Sequence, residues 1–325
     1  RLGLPSFKIL GASWATYQAL KKRTGHPLDN WQTIAELRRQ LQPLGQLTLI
    51  AATDGNHGRA VAHMAALLGF SARILVPENT VAERIAAIAG EGAEVVVVNG
   101  SYDDAVRQSA REGAANKNAL VISDTAWPGY EEIPNWVIEG YSTIYQETAA
   151  QLQAQREAAP DLVLVQMGVG ALATSVIKYY RRNQSHPTNI MGVEPLAAAC
   201  VLESLQKQAM VEVSGPHHSI MAGLNCGAPS LVGWPYLKDG LDLAVAIDDE
   251  YARAAMRQLA ANGIEAGESG AAGLGGLLAL FESNEKAKAW SYLGLNSNST
   301  ILILNTEGIT DHQNYQKILS SSQSY

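Results

Sequence analysis

Cysteine is scarce in this chain. Its 325 residues contain only two, Cys200 and Cys226, which excludes a disulfide framework. A reduced, cytoplasmic protein is the expectation, with the pair bridged across a modest loop or, as favoured, left as two buried thiols. Positive charge is short as well: 24 Lys and Arg against 31 Asp and Glu, for a net charge of -7. The clusters Lys21-Lys22-Arg23 and Arg181-Arg182 are brief and isolated, so no nucleic-acid partner is expected. No apolar run approaches the ~20 residues that span a bilayer, and no membrane partner is expected. No basic start, apolar stretch and cleavage site mark a signal peptide. The chain opens at Arg1 without an initiator methionine, and residues preceding it are expected. Catalytic signatures are missing too. No Gly-x-Ser-x-Gly elbow points to a serine hydrolase. The one histidine pair, His217-His218, has no carboxylate or cysteine at ligand spacing, so no metal is expected.

What remains is 47% hydrophobic and only 17% charged. Such a chain has a large interior and is long enough for two domains. Apolar runs at 47–52, 72–76, 94–98 and 119–122 alternate with helical segments at 59–68, 81–89 and 102–112. That order predicts a compact α/β unit with a parallel, doubly wound sheet. A long helix is expected over 135–156, then strands at 162–166, 190–193 and 300–304. Helices are expected after 172, over 197–209, over 249–262 and from 267. The stretch 212–240 reads as irregular, and 320–325 as frayed. Before the first strand, 13–41 reads as helical, broken at Gly25-His26-Pro27, with Asp29 able to cap the second piece.

Lys8 lies between Phe7 and Ile9 in an otherwise apolar opening segment. Pro5-Ser6 reads as a helix start, with Ser6 as cap. Lys8 would then sit near a helix N-terminus in a partly buried pocket, where burial and the helix end both disfavour the ammonium. Such an amine can form a Schiff base. By itself the residue fits a snorkelling lysine better. Five loops change the balance, because each directly follows an expected strand, at the edge where doubly wound sheets bind ligands. They are the Asp54 loop, the loop after Ile122, the Gly168 loop, Glu194 and the Thr306 loop. Gly168-Val169-Gly170-Ala171-Leu172 opens a helix, and its amides suit a phosphate. It is neither a P-loop nor a GxGxxG motif, and it reads equally as a plain strand-to-helix turn. Thr53-Asp54-Gly55-Asn56-His57-Gly58 has donors for a carboxylate, an amide for a planar ligand and Asp54 as a base. It reads equally as a capped turn.

Arg-Leu-Gly-Leu-Pro-Ser-Phe-Lys at 1–8, Thr-Asp-Gly-Asn-His-Gly at 53–58, Ala-Gly-Leu-Asn-Cys-Gly at 222–227 and Asn-Thr-Glu-Gly at 305–308 occur in this order. Together they resemble the pyridoxal-phosphate (PLP) enzymes of the tryptophan-synthase β-like fold, fold type II, and within them the diaminopropionate ammonia-lyases. Asp54 carries most of the finer likeness, since dehydratases of the family have serine there. The resemblance implies two doubly wound α/β domains with PLP in the cleft between them, and a homodimer. A smaller domain would span 46–130, and 1–45 plus 131–325 would form the larger, PLP-binding one. It also implies roles. Lys8 would carry the cofactor. Asn56 would contact its 3′-oxygen. The amides of Gly168, Val169, Gly170, Ala171 and Leu172 would hold its phosphate, with Val169 and Ala171 standing where glycines are common. Thr306 would face the ring nitrogen, and a neutral hydroxyl there favours β-elimination. Thr53, Asp54, Gly55, His57 and Asp124 would receive an amino-acid substrate. The implied reaction is α,β-elimination of D- or L-2,3-diaminopropionate to pyruvate and ammonia. Lys8 would be the base for one enantiomer and Asp54 for the other, with Asp124 binding the β-ammonium or orienting Asp54. Serine or threonine dehydration, racemisation and a non-catalytic PLP binder are the alternatives.

Overall fold

The computed structural model describes residues 2–182 and 187–321. Residues 322–325, most of the segment expected to fray, lie outside the described residues. The chain folds as two compact units, Arg1–Gly140 and Tyr141–Tyr325.

In chain order the first unit contains α1 (Lys8–Thr24), α2 (Ile34–Leu41), β1 (Thr48–Ala52), α3 (Asn56–Leu68), β2 (Ser71–Pro77) and α4 (Ala82–Ala89). It continues with β3 (Glu94–Val98), α5 (Tyr102–Ala115), β4 (Ala119–Val121) and α6 (Glu132–Gly140). The four strands form one parallel sheet in the order β3-β2-β1-β4. Its central strand, Thr-Leu-Ile-Ala-Ala, is covered on both faces, which is why it reads as a continuous apolar run rather than an alternating one. At the sheet edge Val97 of β3 is 52% exposed.

The first helix begins at Lys8, just after the Pro5-Ser6 start and ahead of the 13–41 stretch, so the lysine lies at the helix N-terminus as expected. Ser6 still serves the start, because its Oγ accepts the Lys8 N–H at 3.3 Å. The second helix is capped by Thr33, not Asp29: Thr33 and Glu36 form a reciprocal capping box. The unit also takes in 1–45 and 131–140, which the expected division grouped with the larger domain. The cause is α1, which packs against α3 and α6 and holds α6 through a Trp14 Nε1 hydrogen bond to Glu139 Oε2 at 2.9 Å.

The second unit starts with α7 (Ser142–Gln155), β5 (Leu162–Gln166), α8 (Ala171–Tyr180), β6 (Asn189–Pro195), α9 (Cys200–Lys207), α10 (Trp234–Gly240) and β7 (Leu243–Ile247). It closes with α11 (Asp249–Ala261), α12 (Glu268–Glu282), α13 (Lys286–Tyr292), β8 (Ile301–Ile303) and α14 (His312–Ser320). Its sheet is also parallel, in the order β7-β6-β5-β8. Leu162, Leu164, Met191 and Val193 of the sheet pack against Ala255 and Met256 of α11 and Ala271 and Ala272 of α12. Small residues on α12 allow the close approach. The expected 135–156 helix is two helices, α6 and α7, separated at Tyr141. Strand β7 escapes sequence reading because it is a short edge strand, mostly half-buried, adjoining a region without clear period. No helix among the described residues is long and apolar enough to cross a membrane.

The two sheets share one winding. In each, the chain runs outward from the first strand and then returns to that strand's other side. Thus β1 lies beside both β2 and β4, and β5 beside both β6 and β8. The carboxyl ends of β1 and β4, and of β5 and β8, therefore flank the points where winding reverses, which is where a doubly wound sheet opens a crevice.

Candidate active site

In the first unit, the switch point collects Lys8, Asp124, His57 and Tyr102. Lys8 Nζ lies 2.6 Å from Asp124 Oδ2, with the side chains 19% and 7% exposed. The other carboxylate oxygen of Asp124 accepts from Tyr102 Oη at 3.1 Å. The isolated, desolvated amine of the sequence reading is thus an ion-paired one. Burial pushes the Asp124 carboxyl up, but the charge of Lys8 and the hydrogen bonds from Lys8 and Tyr102 outweigh it and hold the group well below the ordinary Asp range. Because the folded state lowers this pKa, the pair stabilises the protein fully above the ordinary Asp pKa. Acid removes that contribution as it protonates the folded carboxylate. Asp124→Ala strips the partner from a mostly buried ammonium. It is expected to lower the unfolding free energy of the cofactor-free protein by about 3 kcal/mol at neutral pH. Urea unfolding of the two proteins checks this, and an unchanged midpoint would show that the pair is energetically idle.

His57 Nε2 is 2.8 Å from the Ile122 carbonyl. A carbonyl only accepts, so Nε2 carries the proton and Nδ1 is the bare nitrogen. That Nδ1 is buried without a hydrogen-bond partner, 4.0 Å from Asp124 Oδ2. Burial lowers the His57 pKa, against the opposing pull of Asp124. His57 is therefore a neutral wall of the site.

The Asp54 loop is built for rigidity. Thr53 Oγ1 accepts both the Gly55 N–H at 2.9 Å and the Gly58 N–H at 3.0 Å. A Cβ at Gly58 would stand 2.3 Å from Thr53 Cγ2 and 2.5 Å from Ile74 Cγ2, so α3 can approach β2 this closely only with glycine there. Asn56 is the first residue of α3 and partly buried. Asp54 is in a different electrostatic state from Asp124. Burial pushes its carboxyl up to about 8; Arg84 and Lys8 oppose that, while Asp124 and Asp103 reinforce it. Two carboxyl groups near one lysine are thus driven apart in pKa, the arrangement that separates an acid or base from a fixed anion.

In the second unit, β5 runs into the Gly168 loop. Gly170 has φ 87°, a left-handed conformation that suits glycine, and it starts the ten-residue helix α8. The first intrahelical bond there is Thr174 N–H to the Gly170 carbonyl, 2.9 Å. The amides of Ala171, Leu172 and Ala173 precede it and have no partner within the helix, which makes this an anion-binding end. Val169 is tied down by Ser230, whose N–H donates to its carbonyl at 2.8 Å. Cys200 donates weakly to the Gly168 carbonyl, at 3.7 Å. Both Cys200 and Cys226 are buried and free. Across the switch point, Thr306 is 7% exposed. Its Oγ1 lies 2.6 Å from Gln166 Nε2.

Of the five loops expected to carry chemistry, four flank the two switch points. Glu194, the fifth, has another task. It is the next-to-last residue of β6, is fully buried, and accepts the Val201 and Leu202 N–H groups at 2.8 Å each. Burial pushes its carboxyl up to about 7, while those N–H groups and Cys200 pull it down. The residue caps α9 from a neighbouring strand. Sequence reasoning missed Tyr102 and Gln166. Nothing local marks Tyr102 as a partner of Asp124. Gln166 does carry a signal, a polar residue ending the buried run Leu-Val-Leu-Val-Gln.

These are the parts of one enzyme class: a lysine amine at a helix start, an anion-binding turn and a buried hydroxyl, each at a switch point of a doubly wound sheet. The model of the family described as "Pyridoxal-phosphate dependent enzyme" matches residues 3–292, and the chain belongs to that family. It is similar to the diaminopropionate ammonia-lyase of Escherichia coli (strain K12), with 36% identity over 326 residues, 98% of this chain and 80% of that protein. The crystal structure of the Escherichia coli diaminopropionate ammonia-lyase in complex with D-serine superposes with a TM-score of 0.89 at 34% identity, over 98% of this chain and 81% of that one. A second crystal structure of that enzyme, in complex with an aminoacrylate-PLP azomethine reaction intermediate, gives a TM-score of 0.87 at 34% identity, over 98% and 80%. The side chains fit the cofactor. An anion-binding helix end suits its phosphate, a primary amine its aldehyde and a buried hydroxyl its ring nitrogen; the first unit offers such an amine at Lys8, and the second such a helix end before Thr174 and such a hydroxyl at Thr306.

Proposed function

We propose that this protein eliminates the β-amino group of 2,3-diaminopropionate, of D or L configuration, and yields pyruvate and ammonia. The observation that carries the reading is the Lys8–Asp124 pair, Nζ to Oδ2 at 2.6 Å, with a second carboxyl, Asp54, whose pKa burial pushes up to about 8. PLP, when bound, draws electrons from the substrate's α-carbon, which acidifies the α-proton and lets a β-substituent leave. Everything else falls to the chain. Lys8 holds the cofactor and, once displaced by the substrate amine, takes the α-proton of the L-form. Asp54, in its ionised form, takes that of the D-form. Asp124 now has its Lys8 partner replaced, and the cation best suited to that place is the substrate's β-ammonium. Serine and threonine bring a neutral hydroxyl to the same carboxylate and leave it unpaired, which disfavours them. Asn56, the 168–172 amides and Thr306 hold the cofactor. Thr53, Gly55 and His57 shape the substrate side, Thr53 by pinning the loop. Functionally, 1–45 and 131–325 group together as the cofactor-holding part, since Lys8, the Gly168 loop and Thr306 serve one cofactor, with 46–130 as the smaller part. A cytoplasmic homodimer completes the reading.

The test is release of ammonia and pyruvate from purified protein supplied with both diaminopropionate enantiomers, L-serine, D-serine and L-threonine. Diaminopropionate is expected to have the highest kcat/KM, with a smaller activity on D-serine. Preference for serine or threonine would make the protein a dehydratase. Interconversion of enantiomers without ammonia release would make it a racemase, and cofactor binding without turnover a PLP-binding protein.

A further inference from the structure

Gln166 closes β5, is 3% exposed, and has its amide orientation dictated by its surroundings. Its Nε2 is 3.0 Å from the Leu304 carbonyl and 3.3 Å from the Gly270 carbonyl. Turning the amide over would set Oε1 against two carbonyl oxygens, so the nitrogen must face them. Oε1 itself is buried without a hydrogen-bond partner, hence no donor holds the amide from its other side. The same Nε2 is 2.6 Å from Thr306 Oγ1. An amide nitrogen cannot accept, so in this pair Thr306 is the acceptor. The two amide hydrogens serve three acceptors, one going to Thr306 Oγ1 and the other shared by the Leu304 and Gly270 carbonyls, so the Thr306 hydroxyl hydrogen lies on the side of its oxygen away from Gln166 Nε2.

We propose that Gln166 is a positioning residue that sets the direction of the hydrogen bond between Thr306 and the cofactor's ring nitrogen. This rests on the reading of Thr306 as the partner of that nitrogen. With its oxygen occupied by Gln166, Thr306 donates, and a ring nitrogen that receives a hydrogen bond remains unprotonated. An unprotonated ring is the weaker electron sink, so charge at the α-carbon is passed to the departing β-group instead of being stored. Gln166 thereby biases the site toward elimination and away from racemisation without touching substrate or cofactor. If Gln166 is replaced by a side chain that cannot donate, nothing fixes the Thr306 oxygen as an acceptor, and the hydroxyl is free to turn and offer a lone pair to the ring, which favours the protonated nitrogen.

The experiment uses the full-length protein loaded with PLP labelled with nitrogen-15 in the ring, and compares wild type, Gln166→Met and Thr306→Val by NMR. The wild-type ring signal is expected in the neutral-pyridine range. In Gln166→Met it is expected to move toward the pyridinium range by tens of ppm, and the ratio of enantiomer interconversion to ammonia release is expected to rise at least tenfold. An unchanged ring signal in Gln166→Met, alongside a response to Thr306→Val, overturns this proposal and leaves the role of Thr306 standing. No response to Thr306→Val overturns both. Gln166→Asn, whose amide ends one methylene short of Thr306, is read in the same way if the methionine variant does not fold. Loss of PLP binding by both variants with the cofactor-free fold intact also overturns the proposal, because Lys8 and the phosphate-binding amides would remain. Unfolding of both marks Gln166 as a structural residue and overturns it as well.

Discussion

Lys8→Ala is expected to abolish the absorbance band at about 410 nm that a PLP–lysine linkage produces and to lower kcat by at least about 10³-fold. The size follows from two jobs held by one atom. Nζ anchors the cofactor, and in the proposed reaction it is also the base for the L-substrate. In the cofactor-free protein the change also removes the ammonium that holds the Asp124 carboxyl low. Reduction of the wild-type holoenzyme with borohydride, followed by peptide mass spectrometry, should place the cofactor on Lys8 alone. A Lys8→Ala protein that kept its band, or a modified lysine elsewhere, would remove Lys8 from the centre of the site.

Asp54→Ser is expected to split the enantiomers. Turnover of D-diaminopropionate should fall by about 10²–10⁴-fold, the usual loss for a general base, while turnover of the L-form stays within a few-fold of wild type. The pH dependence has a definite sign. A base works when deprotonated, and burial raises the Asp54 pKa to about 8. For the wild type, kcat/KM on the D-substrate should therefore climb through about pH 8 and level off above it. The L-profile, which does not use this group, should lack that limb. Asp124 is among the charges that raise the Asp54 pKa, so Asp124→Asn is expected to shift the D-limb to lower pH. Equal losses on both enantiomers in Asp54→Ser would leave the loop as substrate-binding only and sink the two-base scheme.

Much of this was open to sequence reading because the patterns involved are local. Buried parallel strands read as apolar runs, the helices between them carry their own caps and periods, and functional loops in such folds follow strands. Seven of the eight strands among the described residues were legible in this way, as were the Asp54, Asp124, Gly168 and Thr306 loops. The strand that was missed, β7, is a half-buried edge strand whose pattern is weak because half its environment is solvent. Glu194 shows the limit of the rule that loops after strands carry chemistry. Its position fitted, but only the fold shows its carboxylate turned onto the α9 amides.

The amino-acid sequence by itself determined the α/β class, the order of the strands along the chain, the family, and the identity of the lysine and aspartates that carry the proposed chemistry. Tertiary structure decided their partners. Lys8 meets Asp124 across 116 residues, and Gln166 meets Thr306 across 140. No local period can encode such pairs. They arise because each sheet brings its last strand back beside its first, and because α1 packs on α3 and α6 at the edge of the first. The charge states follow from the same placement: two aspartates with the same chemistry are driven apart in pKa because one faces an ammonium at hydrogen-bond distance and the other is half-buried near that anion.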